Sequence, residues 1–130
     1  GFSRGGQMAL LLAYHREVAR TVSWAGVTNL TWTYEEQQTM RKMLRRFTGG
    51  VPQQQLQAYR VRSPLYFPPQ GEILLIHGLY DQNVRLRHAT NYAARYPEQT
   101  RLIVYQYAHQ FPIHQKMLVT KQVIDWMLSE

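Results

Sequence analysis

Gly1-Phe2-Ser3-Arg4-Gly5-Gly6, running into Gln7-Met8-Ala9-Leu10-Leu11-Leu12-Ala13-Tyr14, is the stretch from which the fold is read. A Gly-x-Ser-x-Gly run that opens an apolar helix is the pattern of a strand-to-helix turn carrying a serine hydroxyl at its tip. Such a turn strains the serine backbone and leaves no room for side chains beside it, so glycines at 1, 5 and 6 suit it. The same short pattern also fits a glycine-rich loop with an incidental serine, and the rest of the chain must decide. In an elbow a strand runs into the first glycine. The reading therefore expects a fragment of a longer polypeptide, cut at the elbow.

Outward from the elbow, helical and strand segments alternate. The first helix is expected to run to about His15 or Val18. Thr21 to Val27 reads as a β-branched strand ending at a glycine. Thr33-Tyr34-Glu35-Glu36 has capping-box spacing and predicts a helix to about Phe47, stopped by Thr48-Gly49-Gly50. Pro52 predicts a short helix through Ala58, and the prolines of Arg62 to Pro69 predict a loop. Ile73-Leu74-Leu75-Ile76-His77 is a continuous apolar run, as in a strand buried on both faces of a parallel sheet. A helix over Arg85–Tyr96, a strand over Arg101–Tyr107 and a helix over Ile113–Leu128 follow. In the last helix Met117, Leu118, Ile124 and Met127 are the expected buried side. Three strands separated by helices give the α/β class with a parallel sheet.

Composition narrows the function. The chain has 130 residues, 45% of them hydrophobic and 12% aromatic, which is ordinary for one globular domain. No apolar run approaches the ~20 residues of a membrane span, so no membrane partner is expected. The absence of cysteine excludes disulfides, thiol catalysis and cysteine-based metal sites. A net charge of +7 raises the nucleic-acid question. Its densest cluster, Arg41, Lys42, Arg45 and Arg46, is interrupted by Met43, Leu44 and Phe47 as in an amphipathic helix with a solvated basic side. No nucleic-acid motif accompanies it, so that function is set aside.

Acyl transfer by a serine needs a base for the hydroxyl proton, a carboxylate to orient that base, and donors for the oxyanion. In the α/β-hydrolase arrangement the chain order is Ser, Asp, His, the last two on loops past later strands. Asp81 lies a few residues beyond the strand that ends at His77-Gly78, and His109 follows the Arg101–Tyr107 strand. Each has a plainer reading, Asp81 as a turn aspartate and His109 as a surface histidine. His114 competes with His109 but falls inside a helix. His77 reads as structural, and His15 and His88 as helix-surface residues. No His-x-x-x-His or His-Glu-x-x-His spacing supports zinc.

With these residues placed, the whole chain, residues 1–130, resembles the C-terminal portion of the α/β-hydrolase catalytic domain of the prolyl oligopeptidase family of serine peptidases. The resemblance rests on Gly1 to Gly6 with Met8-Ala9-Leu10, on Gly26-Val27-Thr28-Asn29-Leu30 and on Arg62-Ser63-Pro64-Leu65. It extends through Leu74-Leu75-Ile76-His77-Gly78 to Asp81 and Val84, and to His109 before the last helix. It implies Ser3 as nucleophile, Asp81 as orienting acid, His109 as general base and the Arg4 backbone N–H as an oxyanion donor. It also implies a peptide substrate and no metal or organic cofactor. The family commonly sets a β-propeller ahead of the hydrolase domain. The remaining N-terminal part of the same polypeptide would then be this chain's partner, bringing the early strands and a second oxyanion donor. Ala108 departs from the glycine that members often carry before the histidine. An esterase on the same scaffold, or an inactive interaction domain, remain alternatives. Localisation is open, with a cytoplasmic lean that comes from the family alone.

Overall fold

The computed structural model describes residues 1–129. In chain order the elements are α1 (Arg4–His15), β1 (Arg20–Trp24), α2 (Leu30–Glu36), α3 (Arg41–Thr48), α4 (Leu56–Arg60), β2 (Glu72–Gly78), α5 (Arg87–Arg95), β3 (Thr100–Tyr105) and α6 (Ile113–Leu128), with single 3-10 turns at Gln38–Met40 and Pro64–Tyr66. The strands form one parallel sheet in the order β1-β2-β3. Val22 lies opposite Leu74, and Leu75 opposite Leu102. Phe2 adds a single parallel bridge to Trp24 on the outer side of β1.

β2 is central, and its sequence says why. Ile73, Leu74, Leu75 and Ile76 are all buried, and each such side chain contributes about 1.5–3 kcal/mol of gross transfer free energy. That contribution is available only where both faces are covered. Successive residues point to opposite faces. Ile73 and Leu75 therefore meet Leu10 and Ala13 of α1 and Ala89 and Tyr92 of α5, while Leu74 and Ile76 meet Val119 of α6 and Phe111 in the loop before it. A third cluster, Val27, Leu30, Leu44, Tyr59 and Val84, ties α2, α3 and α4 to the loop after β2. Several apolar side chains stay open to solvent, among them Met8 and Leu12 on α1. No helix among the described residues is long and apolar enough to cross a membrane.

The structure revises several expectations. β1 stops at Trp24 because Ala25 takes φ 53° while its N–H bonds the Ile76 carbonyl at 2.7 Å. The helix expected from Thr33 begins at Leu30, capped by Asn29, whose side chain accepts from the Thr31 N–H at 3.0 Å. Thr33 is thus interior and buried. That helix also breaks at Gln37 (φ −121°), and the 3-10 turn separates α2 from α3. Gly49, with φ 96°, ends α3 in the left-handed region where glycine is free of a Cβ penalty. Pro52 sits in a turn, and α4 starts only at Leu56. On α6 the expected inner set is corrected: Met117, Leu118, Ile124 and Met127 are exposed, and Val119, Val123 and Trp126 face the sheet. Both sets are apolar at helical spacing, so only packing against Leu74 and Ile76 chooses between them.

Candidate active site

Ser3 stands immediately before the first turn of α1 with φ 55° and ψ −112°, strained backbone for a non-glycine residue. Two ties hold it there. Its N–H donates to the Trp24 carbonyl at 2.7 Å, and the Trp24 N–H donates to the Gly1 carbonyl at 2.8 Å, so the elbow is fastened to the end of β1. Close approach explains the glycines. A Cβ on Gly6 would come within 2.6 Å of Ser23 Oγ and 2.8 Å of the Gly26 Cα, where α1 lies against the end of β1. A Cβ on Gly1 would strike the Gly5 carbonyl. The Arg4 N–H donates to no backbone carbonyl. It is one of the free donors that a helix N-terminus presents together with its positive dipole end.

Asp81 lies in the loop after β2 and is buried. One carboxylate oxygen, Oδ1, accepts from the backbone N–H groups of Asn83 at 2.9 Å and Val84 at 2.8 Å. The other, Oδ2, lies 2.7 Å from His109 Nδ1. Burial alone would push this carboxyl up, but the His109 hydrogen bond, the Val84 N–H and the adjacent imidazoles outweigh it and hold it below its ordinary value. A carboxylate at Oδ2 makes His109 Nδ1 the donor, which leaves Nε2 with a free lone pair. The fold brings the two loops together by continuing the β2–β3 ladder: Leu79 and Tyr80 N–H groups donate to the Tyr105 and Tyr107 carbonyls at 2.7 and 3.0 Å.

His77 sits beneath this pair, fully enclosed. Its Nε2 donates to the Val84 carbonyl at 2.7 Å and lies 3.6 Å from Asp81 Oδ2. Burial pushes its pKa down, against the pull of the Val84 carbonyl and Asp81, so the ring is neutral and structural. His88 corrects the sequence reading, which set it on a helix surface. It is wholly buried; its Nδ1 accepts from the N–H groups of Thr28 at 3.0 Å and Asn29 at 3.3 Å. Its Nε2–H points to Glu36 Oε1 at 3.3 Å. With Nδ1 already an acceptor the ring stays neutral despite Glu36, and burial pushes its pKa down to about 3. His15 and His114 are exposed on their helices.

Ser3, Arg4 and His109 share the wall of one cavity of about 390 Å³. The remaining wall is largely apolar: Val27, Leu30, Met40, Met43, Leu44, Phe47 and Val84, with Gln7 and Arg62 among the polar groups. Ser3 makes no side-chain hydrogen bond to His109 among the described residues; the Phe2 ring lies 5.0 Å from the His109 ring, tilted by 39°. In unliganded sites such bonds are often long and tighten only around a substrate. The cavity wall is what sequence reasoning missed. Met40, Met43, Leu44 and Phe47 fall at the i, i+3, i+4, i+7 spacing of a helix face, and only Leu44 is buried in the core. No three His, Asp or Glu side chains among the described residues converge as a metal-ligand set.

Parallel strand order, the serine elbow and an Asp–His pair past the strand ends define a partial α/β-hydrolase fold. The chain belongs to the prolyl oligopeptidase family, whose sequence profile matches residues 1–126. It is 35% identical over 135 residues to a Bacillus subtilis (strain 168) protein described as the uncharacterized peptidase YtmA, covering 98% of this chain and 52% of that protein. The chain thus spans about half the length of the curated relative it matches. Among solved structures, an acylaminoacyl peptidase in complex with Z-Gly-Gly-Phe-chloromethyl ketone matches all of this chain with a TM-score of 0.85 at 18% identity, over 23% of its own length. Acetyl xylan esterase 1 from Thermoanaerobacterium sp. matches 93% of this chain and 42% of its own, with a TM-score of 0.67 at 18% identity. At such identities these likenesses speak for the fold alone.

Proposed function

We propose that this chain is the C-terminal portion of a serine-peptidase catalytic domain that hydrolyses peptide bonds through an acyl-enzyme. The observation that carries the reading is the 2.7 Å contact between Asp81 Oδ2 and His109 Nδ1, with His109 and Ser3 on one cavity wall. Family membership adds the class of reaction.

In this reading Ser3 Oγ attacks the scissile carbonyl carbon while His109 Nε2 takes the hydroxyl proton. Asp81 holds the imidazole tautomer and stabilises the imidazolium that forms. The developing oxyanion accepts from the Arg4 N–H, a kind of donor worth about 10²–10³ in turnover. Collapse breaks the C–N bond, and His109 passes its proton to the leaving amine. Water then attacks the ester carbon, giving its proton to His109. The carboxylic acid product leaves and the Ser3 hydroxyl is restored.

The test is made on the full-length polypeptide, with a fluorophosphonate probe and a chromogenic aminoacyl amide. Labelling and amide turnover that both disappear in a folded Ser3→Ala variant are expected. Unchanged turnover in that variant overturns the assignment. Turnover of a p-nitrophenyl ester with none of the amide would point instead to an esterase, and a folded wild-type protein that neither labels nor turns over would point to an interaction domain.

A further inference from the structure

The cavity that holds Ser3 carries charge of one sign only. Arg4 and Arg62 line it, and no Asp or Glu does. Among the described residues the arginine–carboxylate pairs lie elsewhere: Arg20 with Glu72, and Arg87 with Glu35 and Glu36. Among the described residues neither Arg4 nor Arg62 has a carboxylate partner, and the one carboxylate near the site, Asp81, is enclosed behind His109.

Arg62 is held rather than loose. Its guanidinium lies over the Phe47 ring at 4.7 Å, and Nη1 donates to the Ala58 carbonyl at 2.7 Å. Its own carbonyl accepts from Gln7 Nε2 at 2.6 Å, and the Gln7 N–H bonds the Ser3 carbonyl at 3.1 Å. The Arg62 backbone is therefore fastened one helical turn from Ser3. A guanidinium has five N–H donors in a planar fork, so most of this group's donors remain available for an acceptor. Stacking on an aromatic face fixes the plane of that fork while leaving its edge free.

We infer that Arg62 is a specificity-determining residue that reads a carboxylate on the substrate, while Val27, Leu30, Met43 and Phe47 receive an apolar side chain beside it. The inference rests on the reading of this cavity as the substrate site. A cationic rim without a compensating carboxylate favours an anion and repels a free amine. The substrate class is thus an apolar peptide with a carboxylate within a few residues of the scissile bond. That carboxylate is either the free C-terminus of a short peptide or an acidic side chain. Arg4, exposed and unpaired at the same cavity, reinforces the field without a fixed geometry.

The experiment uses the full-length protein and matched apolar fluorogenic peptides in two arms. One arm compares a free C-terminal acid with its amide; the other compares glutamate with glutamine in a C-terminally amidated peptide. The wild type should favour the carboxylate member of at least one pair about ten- to a hundredfold in kcat/KM, the range for a hydrogen bond to a charged group. Which arm shows the preference identifies the source. Arg62→Gln should bring that ratio to about one, Arg62→Lys should leave it intermediate, and added salt should shrink it. The same pairs are also measured by fluorescence-polarisation binding to Ser3→Ala protein, which reads the carboxylate without requiring turnover. Absence of hydrolysis with a retained binding preference counts against the peptidase reading and for this one. Equal handling of both members of both pairs by wild type, or a preference unchanged in Arg62→Gln, overturns the inference.

Discussion

Asp81→Asn is the most informative single change, because its effect follows from which oxygen does what. Asn Oδ1 can keep both backbone donors of Asp81, the Asn83 and Val84 N–H groups at 2.9 and 2.8 Å. That fixes the amide nitrogen at the position of Oδ2, 2.7 Å from His109 Nδ1. An NH₂ there forces Nδ1 to accept, and the ring proton moves to Nε2, the atom proposed to take the Ser3 proton. Loss of the charge-assisted bond accounts for about 1.5–3 kcal/mol, or roughly ten- to 150-fold. Tautomer reversal supplies the rest of the ~10⁴ decrease in kcat known for this change in a Ser-His-Asp enzyme, about 5.4 kcal/mol at 1.36 per decade. Asp81→Ala is a poorer probe, since it also orphans the two backbone donors. The assay is steady-state turnover of the amide by folded full-length protein, with fluorophosphonate labelling rate as a second readout. A decrease of less than tenfold in both would refute the assignment of His109 as the base oriented by Asp81.

Acidification should destabilise the fold well before its carboxylates titrate. Unfolded histidine takes up a proton near pH 6.5 while buried His88 does so only at about 3, and His77 is shifted the same way. Below pH 6.5 the unfolded state binds more protons, so stability falls by up to about 1.36 kcal/mol per pH unit for each such histidine. Asp81, held below 3.8, adds its own loss at still lower pH. Urea unfolding monitored by Trp fluorescence between pH 7 and 4.5 should show this slope reduced in His88→Gln; an equal slope refutes it. Gly6→Ala should cost about 1–3 kcal/mol by overpacking against Ser23 and Gly26, read as a lowered thermal midpoint, and an unchanged midpoint would contradict the packing.

Much of this architecture was legible because its signals are local. An apolar run between turn residues marks β2, and glycines around a serine mark the elbow. Chain order put Asp81 and His109 past two strand ends, and parallel pairing of β2 with β3 brings those ends together. The cavity wall was not legible, since Met43 and Phe47 on an amphipathic helix look the same whether they meet core or open space. His88 was misread because its burial depends on Thr28 and Asn29, some sixty residues away. The Asn29 cap was missed because Thr33 to Glu36 offered a better-known pattern four residues on.

The extension of the β2–β3 ladder into the two site loops has a consequence for how such a protein can vary. Gly78 pairs with Tyr105, and its missing Cβ lets the chain pass the carbonyls of Tyr107 and Ala108. Asp81 and His109 are thereby indexed to one another in peptide units. A slip of a single residue would carry the imidazole about 3.3 Å along and turn it to the opposite side. Helices and outer loops can be exchanged around that ruler without retuning the pair, whereas an insertion between Gly78 and Asp81 would silence it in a molecule that still folds.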